Sequence, residues 1–480
     1  MLGVLAPFLV FGLVVFVHEL GHFLAAKWAG VYAPRFSIGF GPALWKRKWG
    51  ETEYILAALP LGGYVRMASR HDDEGAILEG GSENVAAEKI AQGERPKGWD
   101  PDAMIPFGPK PIPEHRWFES KPLWKRLVIM LAGVTMNVLL TLVIAIGLAY
   151  HFGRSIVPTR VVGDVRPPAA LPVLTTLLLP GDTIVAINGE PMRNWNEIDR
   201  ALLVAPGDGL TIRTHRGEFA LAAGGPASEI RQQIAAAVGV YVPPVLDTVL
   251  ADNPAARAGL RKGDSVVAIG GRPVRSFAEL VTVVSASPGK AIPFEVVRAG
   301  APVTVTVTPR SDPGRDPVTR RAIQVGRIGA GPRDISIHEP IGFGEAIREG
   351  GRRTIDMAGT IVDVLRGLFR REVGMNQLGG PIAIVRASVD AGRQGFEYVL
   401  GLLALISINV AVLNLLPIPI LDGGQVLLNI AESVKGSAFS ARTREYVLRA
   451  GLLAILLLFV VVMFNDLKAL VGDLRRMVGL

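Results

Sequence analysis

A chain of 480 residues is too long for one ordinary domain, and its 49% apolar content is concentrated in a few long runs between polar stretches. A net charge of +8 could indicate nucleic acid, but no basic stripe with interleaved aromatic residues is present, so basic cytoplasmic edges of a membrane protein explain it better. Cysteine is absent, which excludes disulfides and thiolate zinc sites; any metal must be bound by His, Asp or Glu.

Four apolar runs are each near the ~20 residues needed to cross the hydrocarbon core of a bilayer. They predict membrane-spanning helices within residues 1–30, 122–150, 395–433 and 445–466, and the third range also contains a proline-rich segment after its helix. The first run lacks the basic residues that normally precede the apolar core of a signal peptide. We therefore expect it to remain in place as an uncleaved helix.

Basic residues flanking the predicted spans indicate the topology. The links between spans one and two and between spans three and four are both basic, so we expect both to be cytoplasmic. The two chain ends and the long 151–397 segment would then be outside, although two arginines near the C-terminus count against this. The first link carries Lys46, Arg47, Lys48, Lys121, Lys125 and Arg126, and the second carries Lys435, Arg442 and Arg444. The two arginines near the C-terminus are Arg475 and Arg476.

Two different segments follow the first span. Residues 31–68 contain short strand-like pieces separated by Gly-Pro and Gly-Gly turns, which is typical of a β-structure and also fits an amphipathic hairpin on the membrane surface. Residues 69–121 form a predicted cytoplasmic insert. Its first part, to residue 114, is rich in Glu, Gly, Pro and Lys with almost no apolar periodicity.

The outside segment contains an internal repeat. Residues 180–192, PGDTIVAINGEPM, align with residues 262–274, KGDSVVAIGGRPV, and a helix start follows each copy. The pattern resembles tandem bacterial PDZ domains, at 155–238 and 239–312. Such domains capture peptide termini or extended strands; the alternative is that they are spacers with empty grooves. Further along, residues 336–372 combine helical apolar spacing with several arginines, which predicts an amphipathic helix on the membrane surface or a plain solvated helix.

A possible metal site begins inside the first span. His18-Glu19-Leu20-Gly21-His22 matches H-E-x-x-H, and residues at i and i+4 of a helix lie on one face, so both imidazoles can reach one ion beside the glutamate. The alternative is a chance match in a helix bundle. Two histidines and a glutamate are costly within a membrane span unless they have a function, which favours the metal site.

The best candidate for a third ligand is Asp422. It lies in residues 414–424, NLLPIPILDGG, where prolines interrupt the third span and place irregular backbone at membrane depth. The alternative interpretation of Asp-Gly-Gly is an ordinary turn. The remaining histidines lie in polar segments outside the predicted spans, and we discount them as ligands: His71, His115, His151, His215 and His338.

Together these motifs resemble the site-2 protease family of intramembrane zinc metalloproteases, and within it the bacterial subfamily with two periplasmic PDZ domains. The resemblance implies a four-transmembrane-helix bundle with a re-entrant β-structure, plus two extracytoplasmic PDZ (α+β) domains, in a bacterial inner membrane. Residues 39–42, 61–65, 133–137, 379–382 and 464–467 support it. Val134 and Gln425 depart from the family's frequent proline and histidine, and neither is an expected ligand.

By this resemblance His18, His22 and Asp422 would bind Zn²⁺, and Glu19 would be the general base and acid. Asn414 would hold the substrate backbone, with Asn137 and Asn409 as weaker candidates of the same kind. A substrate strand would lie beside the re-entrant β-structure at Gly39, Phe40 and Gly41, where glycine lets another backbone approach closely.

The expected partners are the lipid bilayer and a membrane-spanning protein substrate, with no nucleic acid. The resemblance implies that another protease trims the substrate first, and that the substrate is an anti-sigma factor or a remnant signal peptide. The competing hypothesis is a catalytically inactive, membrane-anchored PDZ adaptor. The intact Glu19 argues against it, because an inactive relic would need no general base.

Overall fold

The computed structural model describes residues 2–69, 100–166, 171–226, 228–315, 322–370 and 379–478. The chain divides into two compact units. The first consists of Met1–Gly153 together with Pro340–Leu480, and the second of Arg154–Glu339. Most of the predicted cytoplasmic insert, residues 70–99, lies outside the described part of the chain.

The elements of both units follow in chain order. The first stretch contains α1 (Leu2–Ala29), β1 (Arg35–Trp49), β2 (Thr52–Arg66) and α2 (Leu123–Phe152). The second unit contains β3 (Arg154–Ile156), β4 (Val162–Val165), α3 (Leu174–Leu177), β5 (Ile184–Ile187), β6 (Glu190–Pro191), α4 (Trp195–Val204), β7 (Gly209–Thr214), β8 (Gly217–Ala222), α5 (Glu229–Ala237), β9 (Val238–Val240), β10 (Leu246–Val249), α6 (Pro254–Arg257), β11 (Ser265–Ile269), β12 (Arg272–Pro273), α7 (Phe277–Ser285), β13 (Ile292–Arg298), β14 (Ala301–Val307), β15 (Arg310–Arg315), β16 (Ala322–Arg327), β17 (Ala330–Pro332) and β18 (Ile337–Glu339). The chain then forms α8 (Phe343–Phe369), α9 (Pro381–Gln394), α10 (Phe396–Asn414), α11 (Asp422–Lys435) and α12 (Ala441–Val478).

Four of these helices are long and apolar enough to cross a membrane. The spans are Gly3–Ala29, Leu123–Phe152, Phe396–Asn414 and Arg442–Lys468, and they coincide with the four apolar runs in the sequence. Only 6% of the most apolar window of α12 is buried by the described residues, compared with 28–39% in the other three spans. Most of the surface of α12 is therefore suited to contact with lipid.

Helix α2 is central to the first unit, because α1, α8, α10 and α11 all pack against it. Small residues permit the closest approach: a Cβ added at Gly21 of α1 would lie only 2.4 Å from the carbonyl oxygen of Ala132 in α2. On the side facing α10, Ser407 Oγ donates a hydrogen bond of 2.9 Å to the carbonyl oxygen of Asn137. Close contacts at small residues and hydrogen bonds between helices are the interactions that associate helices in lipid.

Helix α8 packs against other helices of the first unit along one side. A Cβ added at Gly350 would lie 2.5 Å from Cγ1 of Ile146 in α2. One end of α8 therefore fits tightly against the last third of that span. Further along, Ile361 packs in a cluster with Val134 of α2 and Ile408 of α10. The apolar stripe of α8 is thus covered by two other helices down to the middle of the α2 span.

The opposite face of α8 stays exposed and carries ion pairs beside apolar side chains such as Ile355 and Val364. It carries Asp356, whose carboxylate pairs with Arg352 at 2.9 Å, and Asp363, which pairs with Arg366 at 3.1 Å. Thr360 lies between these pairs and is also exposed. Periodicity identified an apolar stripe, but the partner that covers a stripe depends on tertiary contacts such as the one at Gly350.

Strands β1 and β2 form a bent antiparallel pair beside α1. Gly39 and Gly41 have φ of +88° and +89°, which bends β1 between them. Because of this bend, residues 35–38 pair both with 53–56 and with 63–66, while the second half of β1 pairs with the start of β2. The segment 63–66 is therefore the edge of this sheet on the side next to α1.

Helix α12 is fastened to the start of α9 by one buried carboxylate. Asp466 accepts hydrogen bonds from the backbone N–H groups of Gly380, Ile382 and Ala383, which lie at the start of α9. A carboxylate there satisfies N–H groups that have no partner within the helix and also complements the helix dipole.

The second unit contains two sheets with the same strand order, β6-β5-β7-β8 and β12-β11-β13-β14. Each sheet has its own buried cluster of apolar side chains, which includes residues of α4 in the first case and of α7 in the second. The two halves of the sequence repeat form β5–β6 and β11–β12, each followed by its helix. The copies differ afterwards, because α5 and β9 follow the first sheet and the hairpin β15–β16 follows the second.

One buried ion pair recurs in both copies. Asp264 accepts hydrogen bonds from Arg298 and from the N–H of Arg261, and Asp182 is bound in the same way by Arg216 and the N–H of Leu179. Burial alone would raise the pKa of Asp264, but the hydrogen bonds from Arg298 and Arg261 outweigh it and lower the pKa. The same opposing effects lower the pKa of Asp182.

Candidate metal centre

His18 and His22 lie on one face of α1, as their spacing predicts. Their Nε2 atoms are 3.2 Å apart, and each residue is only 8% exposed. Gly133 of α2 provides the space for them: a Cβ added there would lie 2.3 Å from Nε2 of His22 and 2.8 Å from Cε1 of His18. The close approach of α1 to α2 thus occurs at the level of the two imidazoles.

Asp422 reaches these histidines from the other end of the chain. Helix α10 ends at Asn414 and α11 begins at Asp422, with irregular backbone between them. The Oδ2 atom of Asp422 lies 3.3 Å from Nε2 of His18 and 3.6 Å from Nε2 of His22. The sequence prediction that these three residues come together therefore agrees with the geometry.

Two glycines let the chain fold back tightly after α10. A Cβ added at Gly423 would lie 2.3 Å from the carbonyl oxygen of Leu415, and one at Gly424 would lie 2.0 Å from that of Ile418. A side chain at either position would push α11 away from the end of α10. The Asp-Gly-Gly sequence begins α11, and its two glycines are a packing requirement.

The three ligand atoms suit a four-coordinate zinc ion. With metal–ligand distances of about 2.0–2.1 Å, the edges of a tetrahedron around zinc are about 3.3–3.4 Å long. The observed separations are 3.2, 3.3 and 3.6 Å. Among the residues that the structure describes, His18, His22 and Asp422 are the one group of three with ligand atoms this close, and Oδ2 of Asp422 accepts no hydrogen bond. Three protein ligands would leave the fourth position open, which is typical of catalytic zinc.

Comparisons with known proteins identify the family. The model of peptidase family M50 matches residues 6–458. The chain is 30% identical to the regulator of sigma-E protease RseP of Escherichia coli over 490 residues, covering 97% of this chain and 98% of that protein. The Salmonella typhi regulator of sigma E protease is also 30% identical, and so is a predicted zinc metalloprotease of Vibrio cholerae, each over 97% of this chain and 98% of its own length.

The chain belongs to peptidase family M50. This is the site-2 protease family, so the resemblance found in the sequence is confirmed, and the protein is an intramembrane zinc metalloprotease. Integral membrane location and zinc dependence follow from the same matches and from the four apolar spans. An inactive adaptor is not favoured, because the relatives are named as proteases.

The general-base candidate of this M50 peptidase lies on the same helix, between the two histidines. The Glu19 carboxylate accepts a hydrogen bond from the backbone N–H of Val65 in β2. A Cβ added at Gly63 would lie 3.1 Å from Cγ of Glu19, so the sheet edge passes directly beside the carboxylate. The carboxylate is thus held in one place from two sides, by its own helix and by the strand.

Asn414 contributes a further polar side chain to the candidate metal centre. Its Nδ2 atom lies 3.1 Å from Nε2 of His18, the same atom that Oδ2 of Asp422 approaches to 3.3 Å. Being at the last residue of α10, it presents its amide group where the helix stops and the irregular backbone begins. The Asn414 amide is thus beside His18 at the candidate metal centre.

The predicted substrate-binding residues lie one strand further away. Gly39, Phe40 and Gly41 form the bend of β1, and the Phe40 ring stacks on Tyr64 with centroids 6.3 Å apart. Tyr64 is flanked by Gly63 and Val65, the two residues that contact Glu19. The bend is thus connected to the candidate metal centre through the 63–66 segment.

Four of the other histidines lie elsewhere in the described chain. His115 is in a short 3₁₀ turn, His151 is at the end of α2, and His215 and His338 belong to the second unit. None of them joins the group that could hold a metal in the described residues. His71 lies outside the described part of the chain.

Sequence reasoning missed two residues that shape this centre. Gly133 and Gly63 belonged to segments that matched the family, but no spacing rule indicated that they would face His22 and Glu19. Small residues in an apolar span are a signal for close helix packing, and for Gly133 that signal was present. For Gly63 the available signal was the double glycine at 62–63.

Proposed function

We propose that this M50 peptidase cleaves a peptide bond within a membrane-spanning substrate, with His18, His22 and Asp422 holding the zinc ion and Glu19 moving the proton. The observation that carries the proposal is the convergence of three ligand atoms, 3.2 to 3.6 Å apart, beside the Glu19 carboxylate. Two ligands come from α1 and one from the start of α11, so the metal would also join these two elements.

The proposed division of work between the residues follows from their positions. Bound zinc would acidify a water molecule and polarise the scissile carbonyl. The Glu19 carboxylate would accept a proton from that water and then transfer it to the nitrogen of the leaving amine. The hydrogen bond from Val65 N–H keeps this carboxylate aimed at the centre. The Asn414 amide would donate to the substrate carbonyl oxygen as negative charge develops there.

The substrate is proposed to bind as an extended strand. A transmembrane helix hides its carbonyl groups in its own hydrogen bonds, so an intramembrane protease must offer replacement partners. The 63–66 edge of β2 could provide them within reach of Glu19, and the bend at Gly39, Phe40 and Gly41 supports that edge through Tyr64. In this proposal the β-structure is re-entrant, at membrane depth.

Replacing the two bend glycines tests the strand proposal. Their positive φ is strained for valine, so Gly39→Val or Gly41→Val should distort the edge and reduce cleavage. Gly50→Val is the matched control, since Gly50 also has a positive φ but lies at the far turn of the same hairpin. Equal cleavage by the bend variants and the native chain would contradict the proposal.

The second unit is proposed to be a pair of periplasmic PDZ domains, at 155–238 and 239–312. The repeated strand order and the recurring Asp–Arg pair support this. We infer that it excludes substrates with large extracytoplasmic domains, so another protease must trim them first. Because the relative in Escherichia coli is named a regulator of sigma-E, an anti-sigma factor is the proposed substrate, with remnant signal peptides second. Deleting 155–311 should then allow cleavage of untrimmed substrate, and unchanged selectivity would contradict this filter.

The proposed mechanism is tested by Glu19→Gln. This change keeps the size of the side chain but removes the base, so cleavage of a purified membrane-spanning substrate in detergent should be lost. The native chain should lose cleavage when a zinc chelator is added and regain it with Zn²⁺. Glu190→Gln, on an exposed strand of the second unit, serves as the control and should cleave normally. Full activity of Glu19→Gln would overturn the mechanism.

A further inference from the structure

The two histidines of the candidate metal centre would bind the ion through the same nitrogen, Nε2, since these atoms approach each other and Asp422. An imidazole binds a metal through a nitrogen that carries no proton, so the other ring nitrogen, Nδ1, must carry the proton. A hydrogen-bond acceptor beside Nδ1 fixes this form of the ring and its orientation. His22 has such an acceptor in the backbone: its Nδ1 lies 2.8 Å from the carbonyl oxygen of Ile129.

His18 has a side chain in the corresponding place. Its Nδ1 lies 3.3 Å from the amide atom Nδ2 of Asn137 in α2, and turning the amide over brings Oδ1 to that place. Asn137 is completely buried, and its Oδ1 atom has no hydrogen-bond partner among the residues that the structure describes. The contact with His18 is therefore the interaction that decides which way the amide group points. Oxygen and nitrogen of an amide exchange places by rotation about one bond, so the side chain can present either atom to Nδ1.

We propose that Asn137 is a positioning residue for the metal centre, whose amide oxygen accepts a hydrogen bond from Nδ1–H of His18 and thereby directs Nε2 towards the zinc ion. The opposite arrangement, with the amide N–H donating to Nδ1, would put the ring proton on Nε2 and block metal binding. This inference rests on the proposed role of His18 as a ligand.

The backbone at Asn137 is itself held by hydrogen bonds from its own helix and from α10. The backbone carbonyl oxygen of Asn137 accepts hydrogen bonds from Thr141 Oγ1 at 3.0 Å and from Ser407 Oγ at 2.9 Å. Ser407 belongs to α10, the helix that ends at Asn414. Asn137 thus lies at a point where α1, α2 and α10 meet, and it has little freedom to move away from His18.

Two substitutions separate positioning from simple packing. Asn137→Leu has the same number and branching of heavy atoms but offers no acceptor, whereas Asn137→Asp keeps an acceptor in place. Loss of such an orienting partner typically weakens metal binding by about 10- to 100-fold. We expect that loss for Asn137→Leu and near-native affinity for Asn137→Asp. A packing role would give the reverse order, because leucine is tolerated in an apolar interior and a buried carboxylate is not.

The test is the zinc dissociation constant of the purified full chain in detergent, measured by competition with a chromophoric chelator. Thr135→Val, at an exposed position of the same helix, is the control and should bind zinc like the native chain. The thermal unfolding of each zinc-free variant shows that it is folded. Unchanged affinity in Asn137→Leu, or stronger weakening in Asn137→Asp, would overturn the inference. The zinc affinity of His18→Ala is measured in parallel. If His18→Ala also binds zinc normally, the proposed ligand set is wrong. If His18→Ala loses zinc binding while Asn137→Leu binds normally, only the positioning role is refuted.

Discussion

Gly133→Ala should damage the metal centre without removing any ligand. The added methyl group would lie 2.3 Å from Nε2 of His22 and 2.8 Å from Cε1 of His18, about 1 Å closer than normal contact allows. The helix backbone of α2 cannot yield easily, because α1, α8, α10 and α11 pack around it. The imidazoles must therefore move, and they must move away from the position in which they face Asp422.

The expected magnitude comes from two opposing effects. Alanine is favoured over glycine inside a helix by about 0.5–1 kcal/mol, so the substitution should be stabilising in the absence of a clash. Overpacking a tight site costs about 1–3 kcal/mol. If that cost falls on the ligands, zinc affinity should decrease by about 5- to 150-fold, at about 1.4 kcal/mol for each factor of ten.

The matched control is Gly147→Ala, at a glycine of the same helix with no atom within 4 Å of the added Cβ. Zinc affinity from chelator competition and the unfolding temperature would be measured for both variants. Gly147→Ala should bind zinc like the native chain and be slightly more stable. Native zinc affinity in Gly133→Ala would refute the idea that this glycine makes room for the histidines.

Three further predictions concern other parts of the chain. In the second unit, Asp264→Asn should lower the free energy of unfolding by about 1.5–3 kcal/mol at pH 7, because it weakens the charged hydrogen bonds from Arg298. Since the pKa of Asp264 is lowered in the folded state, this advantage of the native chain should disappear as the pH falls below about 4. A difference in urea midpoint between the two chains that persists at low pH would contradict this. On α8, exposed polar residues beside the middle of a span should face water. In this cysteine-free chain, Thr360→Cys should therefore react with a membrane-impermeant thiol reagent, whereas Val143→Cys, at an exposed position of α2, should not. Equal labelling of the two variants would refute the difference. Asp466→Asn should destabilise the first turn of α9 by about 1 kcal/mol, because the carboxylate that caps it is lost. The first backbone amides of α9 should then exchange hydrogen faster, and exchange at the native rate would show that the cap is dispensable.

The parts of this centre that depend on local spacing could be predicted from the sequence. His18 and His22 are four residues apart on a helix, so their common face follows from helix geometry alone. Asp422 could be predicted because prolines in a membrane span leave irregular backbone that must line a cavity. The burial cost of ionisable groups in lipid then pointed to a shared function.

The remaining features depend on contacts between distant parts of the chain. Three close contacts of glycines arise only when helices and strands are assembled: Gly133 with the imidazoles, Gly63 with Glu19, and Gly350 with Ile146. In the sequence alone, each of these glycines resembles any other small residue in an apolar run. The amphipathic pattern of α8 gave its apolar stripe correctly but could not identify α2 and α10 as the elements that cover it.

The most direct test of the central claim is the zinc content of Asp422→Asn. The native chain, purified in detergent, should contain close to one zinc ion per chain. Asp422→Asn keeps the shape of the side chain but weakens the third ligand, so zinc content and cleavage should fall together. The control Asp390→Asn, at an exposed position of α9, should retain both. Full zinc content and full cleavage in Asp422→Asn would contradict a metal centre shared between the first span and the segment after the third.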